Sequence, residues 1–234
     1  MKKQHSVISL ILFTHFIFLC TIVNAQHAND KLIYADDFKD KLDSSTWIIE
    51  IAPAPNSSVY NQKGNLVLDT KGGVTVWFNH PLTNNVRIEY DRKVVVAGGV
   101  NDRLSDLNQF WMAHDPRNTN LFTRSGVLES YDSIQLYYVG MGGNTNRTTR
   151  FRKYEGNGQR TLIREFTDTA HLLQPNKIYH ITIIVNNGTT SFWVDDKCYF
   201  TFNDPTPLKE GYFGFRSTKS RQEISGFKVY QLEH

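Results

Sequence analysis

Ile178-Tyr179-His180-Ile181-Thr182-Ile183-Ile184-Val185, then Asn186-Asn187-Gly188, then Thr190-Ser191-Phe192-Trp193-Val194, is the stretch that decides the fold. Its flanks are dominated by β-branched and aromatic residues, which suit a pleated, half-buried surface. The Asn-Gly pair between them supplies the positive φ angles of a tight hairpin connection. A second hairpin follows through Asp195-Asp196-Lys197, and the runs Gly211-Tyr212-Phe213-Gly214-Phe215-Arg216 and 224–230 add two strands.

Working upstream, short apolar runs recur between turn residues: 32–34, 47–51, 65–69, 74–78, 86–96, 109–112, 133–139, 148–154 and 162–166. Lys71-Gly72-Gly73, Asn79-His80-Pro81, 140–144 and Glu155-Gly156-Asn157-Gly158 read as breaks, and 102–107 as a helical turn or a loop. Many short strands at this spacing predict an all-β protein, a two-sheet antiparallel β-sandwich. The 234 residues are 40% hydrophobic, 13% aromatic and 21% charged, which excludes disorder, collagen and coiled coil.

The N-terminus is expected to be processed. Met1-Lys2-Lys3 precedes an apolar run through Leu19, and Val23-Asn24-Ala25 offers small residues where a signal peptidase inspects. Residues 1–25 are therefore expected to be a signal peptide and 26–234 one domain, secreted or periplasmic and not membrane-bound after cleavage. Without Lys2 and Lys3, 24 basic residues face 23 acidic ones, a balance that argues against nucleic acid as a partner. Cys198 is then the only cysteine left, expected as a packed thiol, and no CxxC or HExxH pattern points to a metal.

The opening Asp36-Asp37-Phe38…Trp47 and the last 60 residues resemble the concanavalin A-like jelly-roll superfamily of lectins, glucanases and lyases. The central text Gln109-Phe110-Trp111…Tyr131-Asp132…Gln135-Leu136-Tyr137-Tyr138-Val139-Gly140…Asn144…Thr149-Arg150-Phe151-Arg152 is similar to an uncharacterised secreted domain family of Bacteroidetes glycan-degradation systems. The resemblance implies a jelly roll and a carbohydrate partner.

In such a sandwich, chemistry has to show as polar residues at alternate strand positions. Arg87, Glu89 and Asp91 share one face, where same-face neighbours lie about 6.6 Å apart. Glu89 and Asp91 thus approach the roughly 5–5.5 Å carboxyl separation of a retaining glycosidase; a solvated outer face fits the same pattern. The Glu-x-Asp-x-x-Glu strand of jelly-roll glucanases is absent. Gln135-Leu136-Tyr137 resembles the Gln-Ile-His strand of jelly-roll alginate lyases, with Tyr137 in the place of His, and Arg87-Ile88-Glu89 half reproduces their Arg-x-Glu-x-Arg strand. Their Tyr-x-Lys-x-Gly-x-Tyr strand has no counterpart. Between 147 and 164, six basic residues stand against Glu155 alone, with Glu165 next in line. Arg150, Arg152 and Tyr154 share a face there, and the planar fork of arginine suits a uronate carboxylate.

The leading expectation is a lyase acting on a uronic-acid-containing glycan by β-elimination. Tyr137 or His114 would move the proton, and Arg87, Glu89, Gln135, Arg150 and Arg152 would bind substrate. A jelly-roll glycoside hydrolase using Glu89, Asp91 or Glu129, and a non-catalytic carbohydrate-binding domain, are the alternatives. No catalytic metal or cofactor is expected; Asp36, Asp37 and Asp195 are the oxygen donors a structural calcium would take. Trp77 and Trp111, each inside an apolar run, are expected in the core.

Overall fold

Thirteen strands form the described part of the molecule, some with apolar residues on one side only and others, covered on both faces, apolar on both. In the computed structural model, which describes residues 30–233, these are β1 (Lys31–Asp36), β2 (Trp47–Ile51), β3 (Ser58–Gln62), β4 (Asn65–Thr83), β5 (Val86–Val95), β6 (Leu107–His114), β7 (Gln135–Gly142), β8 (Thr148–Glu155), β9 (Arg160–Phe166), β10 (Ile178–Asn186), β11 (Thr189–Val194), β12 (Lys197–Asn203) and β13 (Glu210–Gln231). The proposed signal segment lies outside the described residues. Among the described residues, helical turns are confined to 128–131, 143–146 and 169–171.

Two layers result. The front sheet runs β2, the second half of β4, the first half of β13, β6, β7, β8, β9. The back sheet runs β12, β11, β10, β5 and the second half of β13, with β1, β3 and the first half of β4 completing it. All described pairings are antiparallel. The decisive hairpin forms as read: Asn186 pairs with Thr189 across Asn187 at φ 49° and Gly188 at φ 81°.

The sequence break at 71–73, and the interval 217–223 between two expected strands, are bends, not chain reversals. Gly72-Gly73 lies inside the 19-residue β4, which passes from pairing with β3 to pairing with β2. Likewise β13 continues for 22 residues, its direction adjusted at Lys219 (φ 50°) and Gly226 (φ 60°), where the register shifts. A strand shared by two layers has to bend, and a bulge bends it at the cost of one unpaired residue. β3 is a strand that alternation does not reveal, and 102–106 is a loop leading into β6.

Between the layers, Trp47, Trp111, Tyr137 and Phe151 from the front pack with Phe192, Phe200, Ile183 and Phe227 from the back. Trp111 also donates its indole N–H to Thr190 Oγ1 at 3.0 Å, tying the sheets together. A second apolar cluster lies on the outer face of the front sheet, where Leu121, Tyr131 and Ile134 of the 115–134 loop cover Trp77, Phe110 and Tyr138. Trp77 and Trp111 are thus both buried, but on opposite sides of one sheet. Cys198 is exposed rather than packed. β12 is an edge strand, and the register shift opposite Phe192/Trp193 turns Tyr199 and Phe200 inward in its place.

Candidate functional site

Register turns the alternating polar positions of the front sheet into a line. Glu50, Thr75, Arg216, Asn108, Gly140, Arg150 and Glu165 are successive cross-strand partners through β2, β4, β13, β6, β7, β8 and β9. All lie on the outer face, since their strand neighbours Val74, Phe215, Leu107, Val139 and Phe151 belong to the inter-sheet core. The parallel row Ile48, Trp77, Gly214, Phe110, Tyr138, Arg152 and Leu162 is mainly apolar up to Arg152.

The acidic end of this line is spent on structure. Glu50 accepts from Trp77 Nε1 at 2.7 Å, Tyr131 Oη at 2.9 Å and the Arg124 N–H at 2.5 Å. Burial pushes its carboxyl above the usual range even against those three donors. Glu50 therefore clamps the covering loop and presents no free carboxylate.

The basic end is different. Arg150 pairs with Glu165, and Asn144, with its amide oxygen turned toward the guanidinium, accepts from both terminal nitrogens at 2.9 and 3.2 Å. Arg152 lies 5.9 Å from the Tyr138 ring centre, and Tyr138 donates to Asn108 Oδ1 at 2.8 Å. Arg216 is only 4% exposed, yet among the described residues it has neither an ion pair nor a hydrogen bond, and its Nε is enclosed without a partner. The Tyr154 hydroxyl on the same face is also buried and unpartnered. The face is rich in donors and poor in free acceptors.

A second feature opens at the end of the front sheet. His114, Gln135, Lys153 and Glu155, from the ends of β6, β7 and β8, meet residues 206–210 around a pocket of about 580 Å³. A buried network pins that loop. Tyr137 donates to Asp204 Oδ2 at 2.6 Å, Lys153 Nζ lies 2.8 Å from the same carboxylate and 2.8 Å from the Thr206 carbonyl, and the Leu208 N–H donates to Tyr137 Oη at 3.1 Å. Burial works to raise the Asp204 carboxyl, but the bonds from Lys153, Tyr137 and the Thr206 N–H hold it below the ordinary range. Burial pushes the Tyr137 hydroxyl well up, reinforced by its bond to Asp204.

The expected site residues therefore fall into three places. His114 and Gln135 are cross-strand partners in the pocket, with Tyr137 in the network beneath it. Arg150 and Arg152 lie on the outer face of the same sheet. Arg87 and Glu89 do not join either group. They sit on β5 in the back sheet, paired with one another, with Arg87 also bonded to Asp30 and stacked on Tyr230. Asp91 beside them is taken up by His180 at 2.8 Å, and Glu129 is an exposed residue of the covering loop. Alternation puts Arg87 and Glu89 on a common face, as read, but that face is the outside of the other sheet. Tyr137 as a proton-transfer group is corrected likewise. It is 1% exposed, committed to Asp204, and on the opposite side of the sheet from Arg150 and Arg152. Arg216 and Asn108 escaped sequence reading, although Tyr212, Gly214 and Arg216 alternating with Phe213 and Phe215 carried the signal.

The three aspartates considered for calcium are engaged elsewhere. Asp36 accepts from Trp47 Nε1 at 2.8 Å, Asp37 pairs with Lys39, and Asp195 pairs with Lys177. Among the described residues no group of three or more His, Cys, Asp or Glu side chains is arranged to hold a metal ion.

Two long strands shared by two antiparallel layers define a jelly-roll sandwich, and solved structures share it. A Bacillus subtilis protein of unknown function with a galectin-like fold matches with a TM-score of 0.70 at 18% identity, covering 86% of this chain and 96% of that one. The carbohydrate-binding module CBM66 from Bacillus subtilis matches at 0.56 and 14% identity, over 80% and 96%. An endo-β-1,3-glucanase from Pyrococcus furiosus matches at 0.60 and 13% identity, over 87% and 95%. At such identities the likeness establishes the architecture. The chain belongs to the family described as domain of unknown function DUF6250, whose model matches residues 68–227. No curated protein matches it.

Proposed function

We propose that this protein is a carbohydrate-binding jelly roll that reads an acidic saccharide on the outer face of its front sheet. The observation that carries the reading is Arg216, a buried guanidinium without a counter-charge, under a face that also presents Arg150 and Arg152. A buried charge left uncompensated by the protein is costly, and a carboxylate laid across this row would supply the missing partner. The structural kinship with a carbohydrate-binding module and a glucanase is consistent with a saccharide as ligand.

Binding without turnover is preferred over β-elimination and over hydrolysis. Elimination needs a proton acceptor beside the bound uronate; the Tyr137 hydroxyl is buried on the other side of the sheet, and Tyr154, on the right side, is fully enclosed with its hydroxyl pushed up by burial. Retaining hydrolysis needs two facing carboxylates, and Glu50 is locked under the loop while Glu165 is paired with Arg150.

The test is calorimetric titration with oligogalacturonate and, separately, with a neutral glucan oligosaccharide, while following the ultraviolet absorbance of unsaturated uronides. Expected is saturable binding of the uronate, weakened about tenfold or more by Arg152→Ala, as the loss of a charged hydrogen-bonding partner worth roughly 1.5–3 kcal/mol implies. Absence of uronate binding, or equal binding to Arg152→Ala, overturns the reading; a growing absorbance replaces it with the lyase.

A further inference from the structure

The pocket at the end of the front sheet is not part of the outer-face row, and its chemistry differs. We propose that it is a second saccharide site, one that takes a neutral sugar ring.

Met112 sits in the middle of β6 at φ 51°, a left-handed conformation that an unbranched non-glycine residue adopts only when its surroundings impose it. The register shifts at this point on both sides of the strand, against β7 and against β13. On the β13 side, Gly211 allows the approach, since a Cβ there would overlap the Met112 backbone. The extra residue leaves Ala113 in the outer cluster and turns the following residue, His114, into the pocket beside Gln135. Bulges of this kind re-aim side chains. The ring so placed has its Nδ1 enclosed without a hydrogen-bond partner.

The ligand class follows from the walls. Lys153 is neutralised by Asp204, so among the lining side chains Lys209 faces Glu155 and Glu210, and the pocket carries no excess positive charge that would select an anion. Lys153 spends its donors on Asp204 and Thr206, Gln135 Nε2 donates to the Glu155 carbonyl at 3.3 Å and Thr161 donates to Glu155 Oε1 at 3.1 Å, which leaves the Gln135 amide oxygen and second N–H, the other Glu155 oxygen and the His114 ring to offer both donors and acceptors. Pro207 and Leu208 form an apolar wall on the pinned loop. Alternating donors and acceptors facing one apolar surface are what the hydroxyls and the C–H face of a sugar ring require. The volume of about 580 Å³ falls within the roughly 300–1,000 Å³ of small-molecule sites.

The test is a nuclear magnetic resonance titration of the full chain, following the His114 ring nitrogens and protons, with D-glucose, D-galactose, D-mannose and L-rhamnose added singly. Expected is a saturable shift of the His114 ring with at least one of them, lost in Gln135→Ala; in His114→Ala, where that ring is gone, the backbone amides of the lining residues 208–210 should report binding at least about tenfold weaker than they do in the parent, the size of one lost ligand hydrogen bond at a buried partner. Oligogalacturonate binding in both variants should stay within about twofold of the parent, because neither residue lies on the outer face. No saturable shift with any of the four sugars overturns the proposal in the unmodified protein, whatever the variants do. So does a sugar-induced shift that survives both substitutions. Failure of oligogalacturonate to bind, with the His114 shift present, would remove the outer-face reading and leave this one standing.

Discussion

The outer-face row and the end pocket lie on the two sides of one sheet and solve the problem of a buried cation in opposite ways. Lys153 is buried with a complete set of partners: Asp204, Thr206 and, through the shared carboxylate, Tyr137. Arg216 is buried with none among the described residues. A cation that the protein itself satisfies holds a loop in place, whereas one it leaves unsatisfied has its pairing energy available to a ligand. Burial alone therefore does not mark a functional residue; burial together with an incomplete set of partners does.

The largest expected effect comes from breaking the satisfied side. Asp204→Ala would strand Lys153 in the interior, and removing one member of a buried pair costs about 3–5 kcal/mol. Equilibrium denaturation measures it; a loss below about 1 kcal/mol would put the pair among those of surface strength and undo the contrast. The matching change on the other side is Arg216→Met, which replaces an uncompensated charge by an adaptable apolar chain. Stability should hold or rise, and oligogalacturonate affinity should fall about tenfold, equivalent to roughly 1.4 kcal/mol. A strongly destabilised Arg216→Met with unchanged affinity would mean that Arg216 is structural.

How far this contrast was legible in the sequence depends on what each level of structure adds. Alternation in 178–194 and the Asn187-Gly188 turn were sufficient for the sandwich, because side-chain direction in a strand is fixed locally. The same alternation put Arg150 and Arg152 on one face and Arg87 and Glu89 on another common face. It did not say that these faces belong to different sheets, for that depends on pairings between residues more than fifty positions apart. Arg216 became meaningful only when register set it between Thr75 and Asn108. Tyr137 was misread because strand parity distinguishes two faces but not the solvent side from the core side. His114, read as a group that would move a proton, lies at the end of β6 in the pocket, and the Met112 bulge that aims it there has no mark in the sequence.

Acidity should separate the two regions in opposite directions. Asp204 is held below the ordinary carboxylate range, so its contribution is present above that range and is lost as pH falls through its depressed pKa. Glu50 is raised by burial, so its contribution is present below the ordinary range and is lost as pH rises through its elevated pKa. Amide exchange, corrected for its intrinsic rate, should therefore show the 204–210 loop loosening in acid while the Glu50-clamped loop at 121–131 gains protection. Parallel behaviour of the two loops would show that these carboxylates do not govern them.

The smallest effect is expected on the back sheet, and it decides whether the front face alone reads the ligand. Arg87 resembles Arg216 in being largely covered, with its side chain 10% exposed, but Asp30, Glu89 and the Tyr230 ring already occupy it. An arginine whose fork is filled by the protein offers no vacant donor to a carboxylate from solution. Arg87→Gln should accordingly leave oligogalacturonate affinity within about twofold. A tenfold loss of affinity in that variant would show that a satisfied arginine on the far sheet reads the saccharide as well as an unsatisfied one on the near sheet. The rule that vacancy, not charge, marks the site would then fail for this molecule.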